Sequence, residues 1–438
     1  MNKIYFSLAI LFLSSIRFIN AQNNISDLVL TNAIIINNVD GTLQKSSTIQ
    51  IKGNKIIKID TNAYHLSKKN KKTKVLDLKG DYVLTGLWNN HSHLSDLLPD
   101  TNSLLENESA FSAAYRSARN AADALKAGFT TLRVVGEQKF IDVALKKAFD
   151  ENVLVGPRII PSGNPISSHG DGDWLVKSAK GLDAIKKAVE TNVESGAEII
   201  KIMVDRMKNE EIKVAIETAH NLRVKVTGHA SNEKARIAIN YGIDMIEHGY
   251  LLSDKTIQLM ADKNVFYDPT IVCNLSADYI KERENRIKSA GFISSKDVID
   301  GRTLVAYADE RDNTFAKKQR KILQKAIKAG VKITTGSDSN PISEIGLLEI
   351  EQLVFSGLSE LDAIKAATIN SAEAMGMQDR LGTIEVGKLA DLIVLEKNPL
   401  ENISNIRTLK MVIKDGKLVN LEKNEGEKSF WELYILKK

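Results

Sequence analysis

Two histidines, His91 and His93, stand two positions apart in "GLWNNHSHL", shortly after the apolar "YVL". In a β-strand, residues two apart point to the same face, so both imidazoles could bind one metal ion. The pair alone is equally typical of a hydrogen-bonded pair on a protein surface. A metal site therefore requires further ligand-type residues at comparable positions downstream.

Four such residues occur at or near the ends of other apolar, β-rich segments. They are Lys201 in "EIIKIMV", His229 in "VKVTGHA", His248 in "MIEHG" and Asp338 in "ITTGSDS". Each has an ordinary alternative: a histidine can be a hydrogen-bonded core residue, Lys201 can extend to solvent, and Asp338 can cap the next helix. These alternatives do not predict a shared location. His65 and His220 lack the pattern, and we expect them to be surface or structural residues.

The segments that carry these residues alternate with helical stretches. The β-rich runs are "YVLTGLW", "TTLRVV", "PRIIPS", "EIIKIMV", "RVKVTG", "MIEH", "VFYDPT" and "KITTG". Eightfold strand–helix alternation predicts an α/β fold, the (β/α)8 TIM barrel, in which catalytic groups collect at the C-terminal ends of the strands. A doubly wound open sheet is the alternative, but no strand is followed by a G-x-G-x-x-G turn. In a barrel, the six residues would face one site.

The N-terminal residues predict export. Residues 1–21, "MNKIYFSLAILFLSSIRFINA", combine an early lysine with an apolar run and end at the small residue Ala21. This pattern is typical of a secretory signal peptide, here cleaved after Ala21. The run is interrupted by Ser14, Ser15 and Arg17, and it is too short to span a bilayer comfortably. We therefore expect a periplasmic or extracellular protein without a stable membrane anchor.

Charge and cysteine content narrow the function classes further. The formal net charge of the 438-residue chain is +5, and it falls to +3 without Lys3 and Arg17, because residues 1–21 contain no acid. Such a small excess does not favour nucleic acid as a partner. The only cysteine is Cys273, which excludes an intrachain disulfide. With 43% hydrophobic residues, the chain has ample material for a large core.

Taken together, the motifs resemble the amidohydrolase superfamily, specifically its imidazolonepropionase-like and prolidase-like (Xaa-Pro dipeptidase-type) branch. The resemblance rests on the segments "GLWNNHSHL", "AGFTTLRVVG", "GPRIIPSG", "AEIIKIMV", "TGHA", "DMIEHG", "TTGSDS", "GTIEVGKLADLIVLEKNPLENI" and "MVIKDGKLV". It implies a hydrolase barrel over residues 81–375. It also implies a small composite β-sandwich built from residues 22–80 and 376–438, where short β segments occur at both chain ends.

The resemblance also implies roles for individual residues. His91 and His93 would bind a more buried divalent metal with Asp338, and His229 and His248 would bind a second, more exposed one. Lys201, converted to a carbamate by carbon dioxide, would bridge the two. Imidazole and carboxylate ligands suit zinc.

A metal-bridging hydroxide would then attack the substrate carbonyl. Asp338, as the catalytic residue, would pass the proton to the leaving nitrogen. His169 in "SSHGDGDW" would hold the substrate carbonyl or carboxylate. Arg133 is a weaker candidate, because it could equally be the partner of a buried ion pair.

The sequence departs from this branch in three places. Asn89 stands where an acid is usual, and Thr85 where proline is usual. Because Asn89 still donates and accepts hydrogen bonds, we expect the orientation of His91 or His93 to be altered rather than lost. The segment between Met203 and Glu210 is short, which affects the substrate pocket more than the metals.

These observations predict an exported, binuclear, zinc-dependent hydrolase that cleaves the C–N amide bond of a dipeptide, such as Xaa-Pro, or of an N-acyl amino acid. Hydrolysis of a ring amide, as in an imidazolonepropionase-like enzyme, is the first alternative. A catalytically silent barrel that acts as a binding protein is the second, and the presence of all six ligand-type residues disfavours it. The expected partner is a small-molecule or dipeptide substrate, and a homo-oligomer is left open.

Overall fold

The computed structural model describes residues 27–61, 73–96, 108–169, 176–274, 313–422 and 426–428. The strands are β1 (Leu28–Ile36), β2 (Leu43–Lys52), β3 (Lys55–Asp60), β4 (Lys74–Asp77), β5 (Tyr82–Thr85), β6 (Leu87–Ser92), β7 (Phe129–Val134), β8 (Arg158–Pro161), β9 (Ile166–Ser167), β10 (Lys177–Ser178), β11 (Ile199–Met203), β12 (Lys225–Ser231), β13 (Met245–Tyr250), β14 (Phe266–Asp268), β15 (Leu392–Leu395), β16 (Leu409–Lys414) and β17 (Lys417–Leu418). The helices are α1 (Ala110–Lys126), α2 (Ile141–Asp150), α3 (Leu182–Glu194), α4 (Asn209–Asn221), α5 (Asn232–Asn240), α6 (Asp254–Asp262), α7 (Asn313–Lys328), α8 (Ile342–Phe355), α9 (Glu360–Ala366) and α10 (Ile369–Ala374). The predicted signal peptide and His65 lie outside the described residues.

The central strands form two parallel sheets. One has the order β6-β7-β8, and the other has the order β10-β9-β11-β12-β13-β14. Strands β7 and β11 are almost wholly buried, as expected for parallel strands whose two faces are both covered. The α/β content agrees with the prediction, and closure into a single barrel stays a prediction at this stage.

A third sheet combines the two ends of the chain. Its order is β17-β16-β15-β5-β1-β2-β3, with β4 paired to β1. It has its own apolar cluster, which includes Leu30, Ile49 and Ile51 from the N-terminal part and Leu392 and Ile413 from the C-terminal part. Neither end buries enough apolar surface alone, so the two ends complete one layer together.

The run "YVLTGLW", which we predicted as one strand, divides at Gly86. Tyr82–Thr85 pairs with β1 and β15 in the terminal sheet, whereas Leu87–Ser92 pairs with β7. Glycine is required at the division because a Cβ on Gly86 would lie 2.1 Å from Thr130 Oγ1. The chain therefore changes sheets just before the strand that carries the first histidines.

The end of the described core also differs from the expectation. The predicted strand "KITTG" is limited to a parallel bridge between Ile333 and Tyr267. Helices α8, α9 and α10 follow it, although the pattern of the sequence had not indicated them. Within the described ranges, each helix is too short or too polar to cross a bilayer.

Candidate metal centre

The first three predicted ligands converge in the structure. Ligand atoms of His91, His93 and Asp338 lie within 4.8 Å of one another. Asp338 Oδ1 is 3.3 Å from His91 Nε2 and 3.4 Å from His93 Nε2. We call these three residues the inner half of the centre, since both histidines are largely buried.

Local backbone geometry explains the convergence. His91 lies in the buried strand β6 and His93 directly follows its last residue, Ser92, so the two histidines are at positions i and i+2. The Asp338 N–H donates to the His91 carbonyl over 2.9 Å. A Cβ on Gly336 would lie 2.4 Å from His91 Cβ, so only glycine lets the loop that carries Asp338 approach this closely. Helix α8 begins at Ile342 with Pro341 at its N-cap, so Asp338 does not cap it.

Lys201 lies beside the inner half, in the middle of β11. Its Nζ is 3.5 Å from His91 Nε2, and the residue is only 2% exposed. The side chain therefore does not extend to solvent. Burial lowers the pKa of Lys201 below its ordinary value, although the charges of Glu247 and Asp338 partly oppose this.

The remaining two histidines, His229 and His248, form what we call the outer half. Their ring centroids are 4.4 Å apart, and the His248 ring is 4.7 Å from that of His91. His248 Nδ1 lies 3.8 Å from Asp338 Oδ2, so Asp338 stands between the two halves. His248 is buried, whereas the side chain of His229 is 28% exposed. The ring of Tyr250 stacks on His248 at 5.1 Å.

The ionisation of the cluster reflects these contacts. Burial alone would lower the pKa of His93, but its hydrogen bond to Asp338 and the nearby carboxylates raise that pKa to about 9. Burial alone would raise the pKa of Asp338, but His91 and His93 hold it well below its usual range. In the outer half, burial and the Lys201 charge lower the pKa of His229 to about 3. Asp338 is therefore an anion, and the charges and hydrogen bonds of the surrounding histidines stabilise its negative charge.

Glu247 is the functional residue that the sequence reasoning missed. Its carboxylate is fully buried and accepts from His91 Nδ1 over 2.6 Å and from Arg133 over 2.5 Å. Burial alone would raise the pKa of Glu247, but the Arg133 guanidinium and His91 lower it below its ordinary value. A carboxylate that accepts a hydrogen bond from the other ring nitrogen of a metal-binding histidine fixes the tautomer of that histidine. The available clue was an acid inside the buried strand segment "MIEHG".

The side chain of Asn89 contacts backbone and Ser337 rather than an imidazole ring. Its side chain donates to Ser337 Oγ over 2.9 Å and accepts from the backbone N–H groups of Ser337 and His91. The His93 ring is oriented instead by the Gly136 carbonyl, 2.9 Å from Nδ1. Asn89 thus joins β6 to the loop that carries Asp338, while other groups orient the imidazoles.

The other three candidates, His169, His220 and Arg133, contact groups other than the six predicted ligands. His169 is exposed, and its Nδ1 contacts the Arg206 carbonyl at 3.0 Å and Ser168 Oγ at 3.3 Å. His220 pairs with Asp244 at 2.9 Å on the surface, as expected for a structural residue. Arg133 is the buried ion-pair partner of Glu247 described above.

Comparisons with known proteins identify the family of the chain. A model of the amidohydrolase family matches residues 82–419. The ochratoxinase of Aspergillus niger is 29% identical over 383 residues, which cover 77% of this chain and 75% of the ochratoxinase. A Xaa-Pro dipeptidase structure with methionine bound in its active site has a TM-score of 0.74 at 26% identity. A prolidase complexed with N-methylphosphonate-L-proline has a TM-score of 0.74 at 25% identity, and both structures match over 90% of this chain and 99% of their own.

The family match covers most of the chain, and it includes every residue of the inner and outer halves. The same relatives bear out the branch that the motifs indicated. The chain therefore belongs to the amidohydrolase family and is a hydrolase that acts on carbon–nitrogen bonds.

Proposed function

We propose that this protein is an exported, binuclear, zinc-dependent amidohydrolase that cleaves the amide bond of a Xaa-Pro dipeptide or a related N-acyl amino acid. The observation that carries the proposal is the convergence of six ligand-type side chains, from well-separated parts of the chain, in one largely buried cluster. They are His91, His93, Lys201, His229, His248 and Asp338.

In this proposal, the central strands of the protein form a closed (β/α)8 barrel. Backbone hydrogen bonds between the two parallel sheets, and to the segment that follows Lys332, support closure. Glu198 N donates to the Pro161 carbonyl over 2.8 Å, Tyr267 N to the Lys332 carbonyl over 3.0 Å, and Asn90 N to the carbonyl of Thr335 over 2.6 Å. The barrel would span residues 81–375, except that Tyr82–Thr85 pairs in the terminal sheet. Residues 22–80 and 376–438 would form the rest of the small β-sandwich domain.

The donor set fits two divalent ions. His91, His93 and Asp338 would hold the inner ion, and His229 and His248 the outer one. Imidazole nitrogens and a carboxylate are the ligands of catalytic zinc sites. Bound zinc would supply an activated water at neutral pH and polarise the scissile carbonyl.

Lys201 would join the two halves as a carbamate. A neutral amine adds to carbon dioxide and releases one proton, which gives an anion with two oxygens. Burial favours the neutral amine, because it lowers the pKa of Lys201. The charges of Glu247 and Asp338 favour the ammonium form, but the effect of burial outweighs them.

Asp338 would handle the proton of the reaction. Its carboxylate lies between the inner and outer halves, and an anion in this place can take a proton from the attacking water and give it to the leaving nitrogen. His169 would hold the substrate carbonyl or carboxylate. Its Nδ1 faces the Arg206 carbonyl, which leaves Nε2 for the substrate.

The substrate class comes from the relatives. Prolidase and Xaa-Pro dipeptidase structures match nearly their whole length at 25% and 26% identity, and this favours short peptides with a C-terminal proline. Hydrolysis of a ring amide stays the alternative. Residues 1–21 would direct the chain to the periplasm or the extracellular space.

The test is a metal and substrate assay on purified mature protein. We expect about two divalent ions per chain and hydrolysis of at least one Xaa-Pro or N-acyl amino acid substrate. His91→Asn should lower both metal content and activity. His220→Asn is the matched control, because its ring pairs with Asp244 on the surface, and it should change neither. Full activity in a chelator-stripped, metal-free preparation would contradict the proposal.

A further inference from the structure

The chain's only cysteine lies beside the outer half of the centre. Cys273 is buried, is in no disulfide, and lies in the short turn Ile271–Asn274 that follows β14. Its Sγ, a ring nitrogen of His248 and a carboxylate oxygen of Asp338 lie within 4.8 Å of one another. Sulfur and nitrogen ligands on opposite sides of one zinc ion are separated by at most about 4.4 Å. These three side chains therefore need only a small adjustment to share an ion.

Two hydroxyl groups lie beside the sulfur of Cys273. The thiol donates to Thr270 Oγ1 over 3.6 Å, and its Sγ lies 3.9 Å from Tyr250 Oη, where either atom can be the donor. A hydroxyl hydrogen rotates to suit its partner, so once the thiol proton is lost these groups can donate to the sulfur instead. Thr270 Oγ1 is also 2.7 Å from His248 Nδ1, so the same hydroxyl contacts a proposed ligand and the sulfur.

The turn that carries Cys273 is fixed from behind. The buried carboxylate of Glu349, on α8, accepts the N–H groups of Ile271 over 3.0 Å and of Val272 over 2.8 Å. Two hydrogen bonds to one carboxylate define the position of the turn. Cys273 is therefore held toward His248 by packing that does not involve the proposed ligands.

We propose that Cys273 Sγ is a further ligand of the outer metal ion, beside His229 and His248. This inference rests on the proposed function. As the Sγ–metal bond forms, the S–H bond breaks and the proton passes to solvent. A thiolate would make the outer site selective for zinc over harder ions such as magnesium or manganese, which prefer oxygen ligands.

Cobalt substitution tests the ligand directly. The purified, full-length mature protein is stripped of metal and loaded with Co²⁺, and its absorption is recorded. A cobalt–thiolate bond gives an intense near-ultraviolet charge-transfer band, whereas nitrogen and oxygen ligands give only weak visible bands. Because Cys273 is the only cysteine, such a band can come from no other residue of the chain.

We expect the band in the wild-type protein and its complete loss in Cys273→Ser, with cobalt content reduced by less than one ion per chain. Tyr250→Phe is the matched control, because it removes a hydroxyl group next to the sulfur but leaves the sulfur, and it should retain the band. Normal cobalt content and visible bands without the charge-transfer band in the wild type would overturn Cys273 ligation and leave the proposed function standing. Failure of the wild type to bind cobalt would overturn both.

Discussion

His91 and His229 are both histidines at the ends of parallel strands, yet their surroundings differ. The His91 ring contacts a carboxylate at each nitrogen, with Glu247 at 2.6 Å and Asp338 at 3.3 Å. His229 has its nearest carboxylate, Asp205, at 4.0 Å, and more than a quarter of its side chain is exposed. The same side chain is thus tightly held in the inner half and loosely held in the outer half.

The difference indicates how the two halves would work. A ligand whose ring is already oriented loses little freedom when a metal binds, and groups that hydrogen-bond to the ligands raise metal affinity. We therefore expect the inner ion to be bound more tightly than the outer one. The outer half has more room to adjust, which suits the side where the substrate carbonyl would arrive.

The largest expected effect is that of Asp338→Asn. Asparagine keeps the size and one coordinating oxygen but removes the basicity, so turnover should fall by roughly 10²–10⁴-fold with a much smaller change in KM. Steady-state kinetics with parallel metal analysis measure this. The matched control is Asp205→Asn, which removes the carboxylate nearest His229 and should lower turnover far less. Similar losses of turnover in both variants would contradict the proposed role of Asp338 in proton transfer.

Lys201→Ala should follow, because it removes the group that would join the two ions. Several kcal/mol of charge stabilisation depend on a correctly held metal, so we expect a loss of turnover on the order of 10²-fold. Short-chain carboxylates such as propionate should restore part of the activity by occupying the space of the bridge. Native mass spectrometry should detect the added mass of carbon dioxide on the protein. Absence of this mass, or high-resolution density with an unmodified amine between two bound ions, would show that the carbamate is wrong.

Glu247→Gln and Thr270→Val test the expected difference in metal affinity between the inner and outer halves. Glu247 supports His91 in the inner half, and Thr270 supports His248 in the outer half. Loss of a group that hydrogen-bonds to a metal ligand typically lowers metal affinity by about 10–100-fold. Chelator competition should show weakening of the tighter ion in Glu247→Gln and of the weaker ion in Thr270→Val. Weakening of the weaker ion in Glu247→Gln and of the tighter ion in Thr270→Val would contradict the proposed difference between the inner and outer halves.

The smallest expected effect concerns Glu349, which fixes the turn behind the outer half. Burial raises the pKa of this carboxyl from the ordinary 4.5 to about 8. The folded state therefore binds more protons than the unfolded state between these values, and the free energy of unfolding should decrease as pH rises through this window. Glu349→Gln should reduce that decrease, as measured by urea denaturation at a series of pH values. Glu217→Gln, an exposed acid on α4, should leave the pH profile unchanged.

The sequence by itself determined which side chains meet. Residues i and i+2 of one strand share a face, and parallel strands place their C-terminal ends together. For this reason, the positions of His91, His93, Lys201, His229, His248 and Asp338 could be predicted from motifs and spacing. The composite sheet from both chain ends was expected from the family resemblance, which the short β segments at both ends accompany.

Only the tertiary structure decided how those side chains are held. Glu247 contacts His91 across 156 positions of sequence, and Glu349 contacts the turn of Cys273 from a helix that the pattern had not indicated. The division of "YVLTGLW" at Gly86 likewise depends on Thr130, which lies on a neighbouring strand. Periodicity reports which face of an element is buried, but hydrogen bonds between distant elements depend on packing distances that no local pattern encodes. The orientation of the ligands, and with it the contrast between the inner and outer halves, is therefore a property of the folded chain alone.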